Sequence, residues 1–426
     1  MINIYLYRFL LFILRPLIKI YIFIRKQKGL EDKERFRERF GETKVKRPEG
    51  KLIWFNAVSV GEINAAWSII KKIHEDSEQT ILVTTTTVSA TKTVLDKIKK
   101  LARPEKVIHQ FFPVDVASYV KKFLNHWKPN IFVNVESEVW PNVLTITKKY
   151  CPIIILNGKM SRKSFRFWYI NKKLREQVFE GIDLCLAQSK KDYKKFINLG
   201  LQRVQFLGNI KFFVEKLPMD AEYLKFLKSG ADKRKVWLVN CTHGGEEEII
   251  TQTHQLLKKK YPDILTINIV RHSQRSGDVE NLMRNGGLRV SVASKNDKIT
   301  AETDVYLYDK LGNLGAFFEF CDIVFMAGSL QPNIGGHTPA ECIKFGCCVV
   351  TGPFIENNKM LFRDLADNNA CIILENNQAE TLAKTIGELF DNDDLRHSMI
   401  NEAYARSVRS NACLGEIVGK ILDMVI

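Results

Sequence analysis

The feature that most restricts how this 426-residue chain can fold is a rhythm. Short runs rich in β-branched and aromatic residues end in a polar or glycine turn, and helix-forming residues follow. The first series of such runs is Leu52–Val58, Thr80–Thr86, Val107–Phe111, Ile131–Val135, Ile153–Leu156, Ile182–Ala187 and Val204–Leu207. The second is Val236–Cys241, Leu265–Val270, Leu288–Val292, Val305–Tyr308, Ile323–Ala327, Cys347–Thr351 and Cys371–Leu374. Two successive strand–turn–helix series predict two Rossmann-like α/β domains with parallel sheets, and a chain of this length exceeds what one core can hold. The expected boundaries are residues 27–215 and 216–394, joined where the periodicity lapses around Pro218. Terminal helices are expected over 395–426.

Residues 1–26 stand apart. They are almost wholly apolar, yet Arg8, Arg15 and Lys19 interrupt them, within about 40° of one another at helical spacing. Pro16 is a candidate kink. The stretch is expected to be a membrane-anchor helix, either spanning the bilayer or lying in the headgroup region with its cations on anionic phosphates. Arg25-Lys26-Gln27-Lys28 then keeps the main body on the cytoplasmic side. The chain carries 64 Lys+Arg against 48 Asp+Glu, a formal charge of +16, which suits an anionic partner. The cations are dispersed or concentrated beside the apolar segment rather than interleaved with aromatics on one element, so nucleic acid is not the expected partner. Nine cysteines without a CxxC pair read as reduced, buried hydrophobes. No acid or histidine cluster has metal-ligand spacing, and neither a P-loop nor a dinucleotide-binding glycine turn is present.

Chemistry-bearing residues sit where strands end. Leu52-Ile-Trp-Phe-Asn-Ala-Val-Ser-Val-Gly-Glu62 reads as a buried strand, a turn and a helix N-terminus, with Glu62 aimed into the crevice where open α/β sheets bind ligands. Ser59-x-x-Glu62 is also a capping box, which alone accounts for both side chains. Glu136 and Glu138 follow a second strand, on one face if the strand persists; pairing of one of them with Lys159 or Arg162 is the plain alternative. Asn157–Ser164 is a basic loop, and Lys211 follows Gly208-Asn209 at the expected crevice between domains. In the second half Val270-Arg271-His272 ends a strand in cations able to meet phosphate. Gly335-Gly-His-Thr-Pro-Ala-Glu341 reads as a glycine turn feeding a helix, with Thr338 as N-cap and Pro339 at its first position.

Taken together these segments resemble one family. Asn56-Ala-Val-Ser-Val-Gly-Glu62, Thr84–Thr87, Glu136-Ser-Glu-Val-Trp-Pro-Asn142, Asn157-Gly-Lys-Met-Ser161, Gly208-Asn-Ile-Lys-Phe212, Thr242-His-Gly-Gly-Glu246, Arg271-His272 and Gly335–Glu341 follow one another as in the 3-deoxy-D-manno-octulosonic acid (Kdo) transferases. The chain departs from that pattern at Lys159, Thr338, Ser273-Gln274 and Gly312-Asn313. The resemblance implies a GT-B fold, with an acceptor domain and a nucleotide-sugar domain facing a cleft. It implies inverting, metal-independent transfer of Kdo from CMP-Kdo to a lipid A precursor at the cytoplasmic face of the inner membrane, without a cofactor. Glu62 maps onto the family's proton acceptor, and Glu136 and Lys211 onto its transition-state stabilisers. Val270, Arg271, Leu311, Gly312, Asn313, Thr338, Pro339, Ala340 and Glu341 map onto the CMP contacts.

By residue chemistry, a carboxylate can take the acceptor hydroxyl's proton, an anionic Glu136 can offset oxocarbenium charge, and Lys211 and Arg271 can neutralise a leaving phosphate. The capping helix is expected to hold the Glu62 pKa down and keep it ionised, with Ser59 the structural member of the pair. The rival readings are a GT-B enzyme for another nucleotide sugar and an inactive membrane-docked lipid-binding protein.

Overall fold

All fourteen expected strands form, and every pairing between them is parallel. The computed structural model describes residues 3–136, 138–214, 216–231 and 233–425. In the first half the strands are β1 (Leu52–Asn56), β2 (Thr80–Thr85), β3 (Val107–Phe111), β4 (Ile131–Val135), β5 (Ile153–Gly158), β6 (Leu184–Ala187) and β7 (Val204–Phe206). They lie in the order β3-β2-β1-β4-β5-β6-β7. The second half has β8 (Val236–Thr242), β9 (Leu265–Val270), β10 (Val290–Val292), β11 (Val305–Tyr308), β12 (Ile323–Met326), β13 (Cys348–Thr351) and β14 (Ile372–Ile373). Their order is β10-β11-β9-β8-β12-β13-β14. Each sheet therefore grows to one side from its first strand and then reverses. The reversal opens a crevice at the carboxyl ends of β1 and β4, and of β8 and β12.

The chain divides into one unit of Met1–Phe213 with Arg409–Ile426 and another of Val214–Val408. The expected join at 215–220 includes Glu215, which lies outside the described residues. The expected set of terminal helices is one helix, Asp393–Asp423, whose last turns pack Ile417, Val418 and Ile421 into the first unit's core.

Alternation along the strands supplies both faces of the first sheet. Leu52 and Trp54 of β1 enter one apolar cluster while Ile53 and Phe55 enter the other, as period-two geometry requires. Trp54 is fully buried, stacked on Phe132 with ring centroids 3.8 Å apart, and its indole N–H donates to Thr84 Oγ1 at 2.9 Å. In the second unit Trp237 repeats the arrangement, donating to Thr266 Oγ1 at 2.7 Å.

The single anchor helix expected over residues 1–26 is not what forms. Two helices, Ile4–Ile13 and Arg15–Gln27, meet at Leu14, with Pro16 opening the second. No helix among the described residues is long and apolar enough to cross a membrane. The cations break the segment's apolar run because the protein uses them. Arg8 donates to Asn142 Oδ1 and Thr145 Oγ1 at 3.1 and 3.0 Å, and Arg15 Nε to the Tyr119 hydroxyl at 3.2 Å. Tyr7 donates to Asp115 at 2.8 Å, and Ile4 is buried in the core. The outward faces stay apolar, with Tyr5 72 % and Phe12 67 % exposed.

Removing the Trp54 ring vacates a packed aromatic site and takes a partner from Thr84. Trp54→Ala is expected to cost about 3–5 kcal/mol in the first unit's unfolding transition. Denaturant titration followed by circular dichroism measures it, and a cost under about 1 kcal/mol would contradict the packing described.

Candidate active site

The helix Val60–Asp76 begins with a capping box. Ser59 is its N-cap, with Oγ accepting from Glu62 N at 3.4 Å and facing Glu62 Oε1 at 3.3 Å. Glu62 Oε2 turns back to accept from Val58 N at 2.7 Å. Its carboxylate is thereby fixed over the end of β1 while remaining half-buried.

Opposite, β4 ends at Val135 and Glu136 takes a left-handed backbone conformation, φ 59°. A non-glycine residue held there stores strain of the order of 1–3 kcal/mol, a pattern that gathers at functional sites. This also overturns the expectation that Glu136 and Glu138 share one strand face. Glu136 Oε1 lies 3.4 Å from Lys211 Nζ, and Asn157 Nδ2 approaches it at 3.5 Å. Glu138 instead accepts from the Trp140 indole at 2.7 Å, in place of the expected partner Lys159 or Arg162. Burial raises its pKa, the Trp140 hydrogen bond lowers it, and the charge of Glu136 raises it.

Lys211 sits on a 3-10 turn, Ile210–Phe212, positioned by two asparagines. Asn209 Oδ1 accepts from Lys211 N at 3.0 Å and Asn157 Oδ1 accepts from Ile210 N at 3.2 Å. Asn157 can serve both Glu136 and this turn because it occupies a bulge in β5, φ 57°, where the ladder shifts register. The turn is held to the Glu62 helix by Ser68, whose hydroxyl donates to the Phe213 carbonyl, and by Ile210 and Phe213 in the same apolar cluster. Glu62, Glu136 and Lys211, far apart in sequence, thus come from three neighbouring elements of one unit.

Beneath them lies a polar row that the sequence reading did not single out as part of the site. Asn56 ends β1 and pairs in register with Thr84 of β2 and Asn134 of β4. Its Nδ2 donates to Asn134 Oδ1 at 2.9 Å, and Thr84 Oγ1 donates to its Oδ1 at 3.1 Å; all three are buried. The signal was present: a polar residue near the end of each of three otherwise apolar strands.

Burial pushes the Glu62 pKa up to about 8, and the charge of Glu136 adds to this; the Val58 N–H and Ser59 oppose it without prevailing. The expectation that the helix N-terminus keeps Glu62 ionised at rest is therefore corrected. Two or three hydrogen bonds at a helix end do not outweigh desolvation plus a neighbouring like charge.

In the second unit the residues mapped to the donor lie at the carboxyl ends of β9, β11 and β12. Val270 is buried and Arg271 exposed, with Arg271 N donating to Thr242 O at 3.1 Å. Leu311 is 99 % exposed on a loop where Gly312 and Asn313 both have positive φ. The expected helix after Gly335-Gly336 is only Ala340–Ile343, with Pro339 rather than Thr338 as its cap residue. Thr338 Oγ1 still accepts from Ala340 N at 3.4 Å, but one turn carries little dipole, so Glu341 and the loop would have to supply the contacts. Sequence reasoning left Glu246 out of the site. Its buried carboxylate accepts from four backbone N–H groups, of His243, Gly328, Ser329 and Leu330, at 2.8–3.0 Å.

Comparison with known proteins agrees with this arrangement. The family model described as 3-deoxy-D-manno-octulosonic-acid transferase matches residues 34–214, and that of the group 1 glycosyl transferases matches residues 240–406. A 3-deoxy-D-manno-octulosonic acid transferase of Rickettsia bellii is 34 % identical over 392 residues, 92 % of each chain. A probable mitochondrial one of Arabidopsis thaliana is 31 % identical, over 98 % of this chain and 95 % of that one. A solved glycosyltransferase structure from Rickettsia africae matches 88 % of this chain and 99 % of its own at TM-score 0.54 and 14 % identity, a likeness of fold.

Because the folded-state pKa of Glu62 lies above that of an exposed carboxyl, ionising it opposes folding. The penalty is absent below the ordinary carboxylate range and complete above about 8. Glu62→Gln should therefore gain stability relative to the parent chain as pH rises from about 5 to about 8. Denaturation midpoints of both proteins across that window check this, and a pH-independent difference would contradict it.

Proposed function

The chain belongs to the 3-deoxy-D-manno-octulosonic acid (Kdo) transferases, glycosyltransferases, and from that premise we propose that it moves Kdo from CMP-Kdo to a lipid A precursor with inversion, Glu62 acting as the base. The observation that carries the reading is the pair of carboxylates at the β1/β4 switch point, one of them bridged to Lys211.

In this mechanism Glu62 takes the proton from an acceptor hydroxyl as that oxygen bonds to the anomeric carbon of Kdo. The bond from that carbon to the phosphate oxygen breaks, and CMP departs with the electron pair. A single displacement inverts the centre. Positive charge developing on the sugar favours the anionic Glu136, which Lys211 holds in place, while Arg271 meets the departing phosphate. A base with a pKa near 8 is strong for a carboxylate, and only roughly a tenth of it is ionised at pH 7. Val270, Leu311–Asn313 and Thr338–Glu341 are the proposed surroundings of the CMP moiety.

Incubation with CMP-Kdo and a tetraacylated lipid A precursor, followed by mass spectrometry of the lipid, tests the assignment. Glu62→Gln is expected to slow transfer by about 10²–10⁴-fold, and wild-type kcat/KM to rise with pH up to about 8. Wild-type-like turnover by Glu62→Gln would sink the base assignment. Product with a different sugar nucleotide, and none with CMP-Kdo, would sink the donor.

The acceptor is a lipid, and we propose that the N-terminal helices lie in the headgroup region of the inner membrane on its cytoplasmic side. Support comes from their exposed apolar faces and from a groove of about 710 Å³ lined in part by Arg15, Lys19, Phe23, Phe36, Arg37 and Lys122. Replacing exposed Lys19 and Arg37 by glutamine should weaken binding to phosphatidylglycerol vesicles by about 2 kcal/mol, roughly thirtyfold, with no change on phosphatidylcholine. Equal sedimentation of both proteins with both vesicles would refute the electrostatic part of the contact.

A further inference from the structure

The switch point of the second sheet, between β8 and β12, holds two imidazoles in contact. His243 directly follows β8, and His337 closes the glycine-rich excursion after β12. Their Nε2 atoms are 3.0 Å apart, with the rings 17° from parallel. At that distance one nitrogen donates and the other accepts. The Cys241 carbonyl also faces His337 as a hydrogen-bond acceptor. Were His337 to give its one proton to that carbonyl through Nδ1, its Nε2 would be bare, His243 would donate across the gap, and the Nδ1 of His243 would be left without a proton.

The surrounding backbone is built to bring the two rings together. Cys241 adopts φ 66° at a bulge where β8 shifts register, re-aiming the residues that follow. Gly328 has φ 72°, and a Cβ there would come within 3.1 Å of His337 Cδ2. Glu246 ties the two loops to each other, its Oε2 accepting from both His243 N and Gly328 N. Yet neither ring is core packing: both are only half-buried.

The surroundings of the pair are electropositive. From the β9 exit, Arg271, His272 and Arg275 bear on the pair, with the His272 ring edge-on to His243 at 5.7 Å. The nearby carboxylates are already engaged: Glu246 by four N–H groups, and Glu247 by both arms of Arg275 at 2.9 and 3.0 Å. Glu341, one turn beyond His337, completes the ionisable groups, its charge reaching Cys241. Burial, the other imidazole and Arg271 bring His337 down to about 4, and burial, His272 and Arg271 lower His243. The resting pair is neutral and stands beside the cations Arg271 and Arg275.

We propose that His243 and His337 form a proton-sharing receptor for the donor's phosphate, an assignment that rests on the reading of the second unit as the nucleotide-binding one. When the phosphate arrives, one solvent proton adds to His243 Nδ1 and is donated to a phosphate oxygen. The Nε2 proton stays directed at His337, which in turn leans on the Cys241 carbonyl. His243 is the contact and His337 the positioning residue behind it. The leaving group thereby acquires a cation only when it is bound, and the empty site avoids a further charge beside Arg271.

CMP is the probe. Isothermal titration at pH 7.5, above the second phosphate ionisation near 6, in two buffers of different ionisation enthalpy gives the protons taken up on binding. Wild type should take up at least about half a proton more than His243→Gln. The variant should bind CMP about tenfold more weakly near pH 6.5 and approach wild-type affinity near pH 8.5, a convergence that also shows it is folded. His337→Gln, which still offers an acceptor to His243, should retain the uptake, whereas His337→Phe should lose it. CMP binding by wild type without the extra proton, or equal uptake by His243→Gln, would overturn the receptor and leave the donor reading standing. A wild type that does not bind CMP would overturn both.

Discussion

Two carboxylates brought together in a partly dehydrated crevice repel each other, and much of the first unit is arranged to hold them there. Left free, Glu62 and Glu136 would separate. Instead Glu62 is pinned by the Val58 N–H and the Ser59 cap, and Glu136 by a left-handed backbone and the Lys211 ammonium. Burial first, and the charge of Glu136 second, raise the Glu62 pKa to about 8, so this carboxyl is mostly protonated at neutral pH. Natural folds keep such arrangements only where the surroundings over-determine them. Here the surroundings are the buried Asn56–Asn134–Thr84 row, the Asn157 bulge and the asparagine-capped Lys211 turn.

The second unit meets a related problem with opposite charges. Its switch point gathers Arg271, His272 and Arg275 around two neutral imidazoles, and its two fully buried acids there are both engaged, Glu246 by backbone N–H groups and Glu247 by Arg275. In both units a left-handed non-glycine residue marks the strand end where the site begins: Glu136 after β4, Cys241 near the end of β8. In both, a bulge near a strand's carboxyl end turns side chains out of the ladder and towards the crevice, Asn157 in one and Cys241 in the other.

The N-terminal segment shows how an apolar run can mislead. Its length permitted one anchor helix, spanning the bilayer or lying in the headgroup region, but Arg8 and Arg15 are hydrogen-bonded to Asn142, Thr145 and Tyr119, and the helix breaks at Leu14 before Pro16. A stripe of cations on an apolar helix has the same pattern whether it faces lipid phosphate or protein hydroxyls. Only the neighbouring residues tell these apart, and they come from positions 104–137 residues later in the chain.

What the amino-acid sequence determined by itself was everything governed by local period and turn chemistry. That covers the fourteen strands, the two α/β units, the capping box at Ser59–Glu62 and, through eight ordered motifs, the family. Strand alternation and helix caps act over a few residues, so they can be read along the chain. What only the tertiary structure decided was anything set by proximity across elements: the pKa of Glu62, the partners of Glu136 and Glu138, and the meeting of His243 with His337. Desolvation and like-charge repulsion depend on distance in space, and residues 74 positions apart at Glu62 and Glu136 carry no local mark of it.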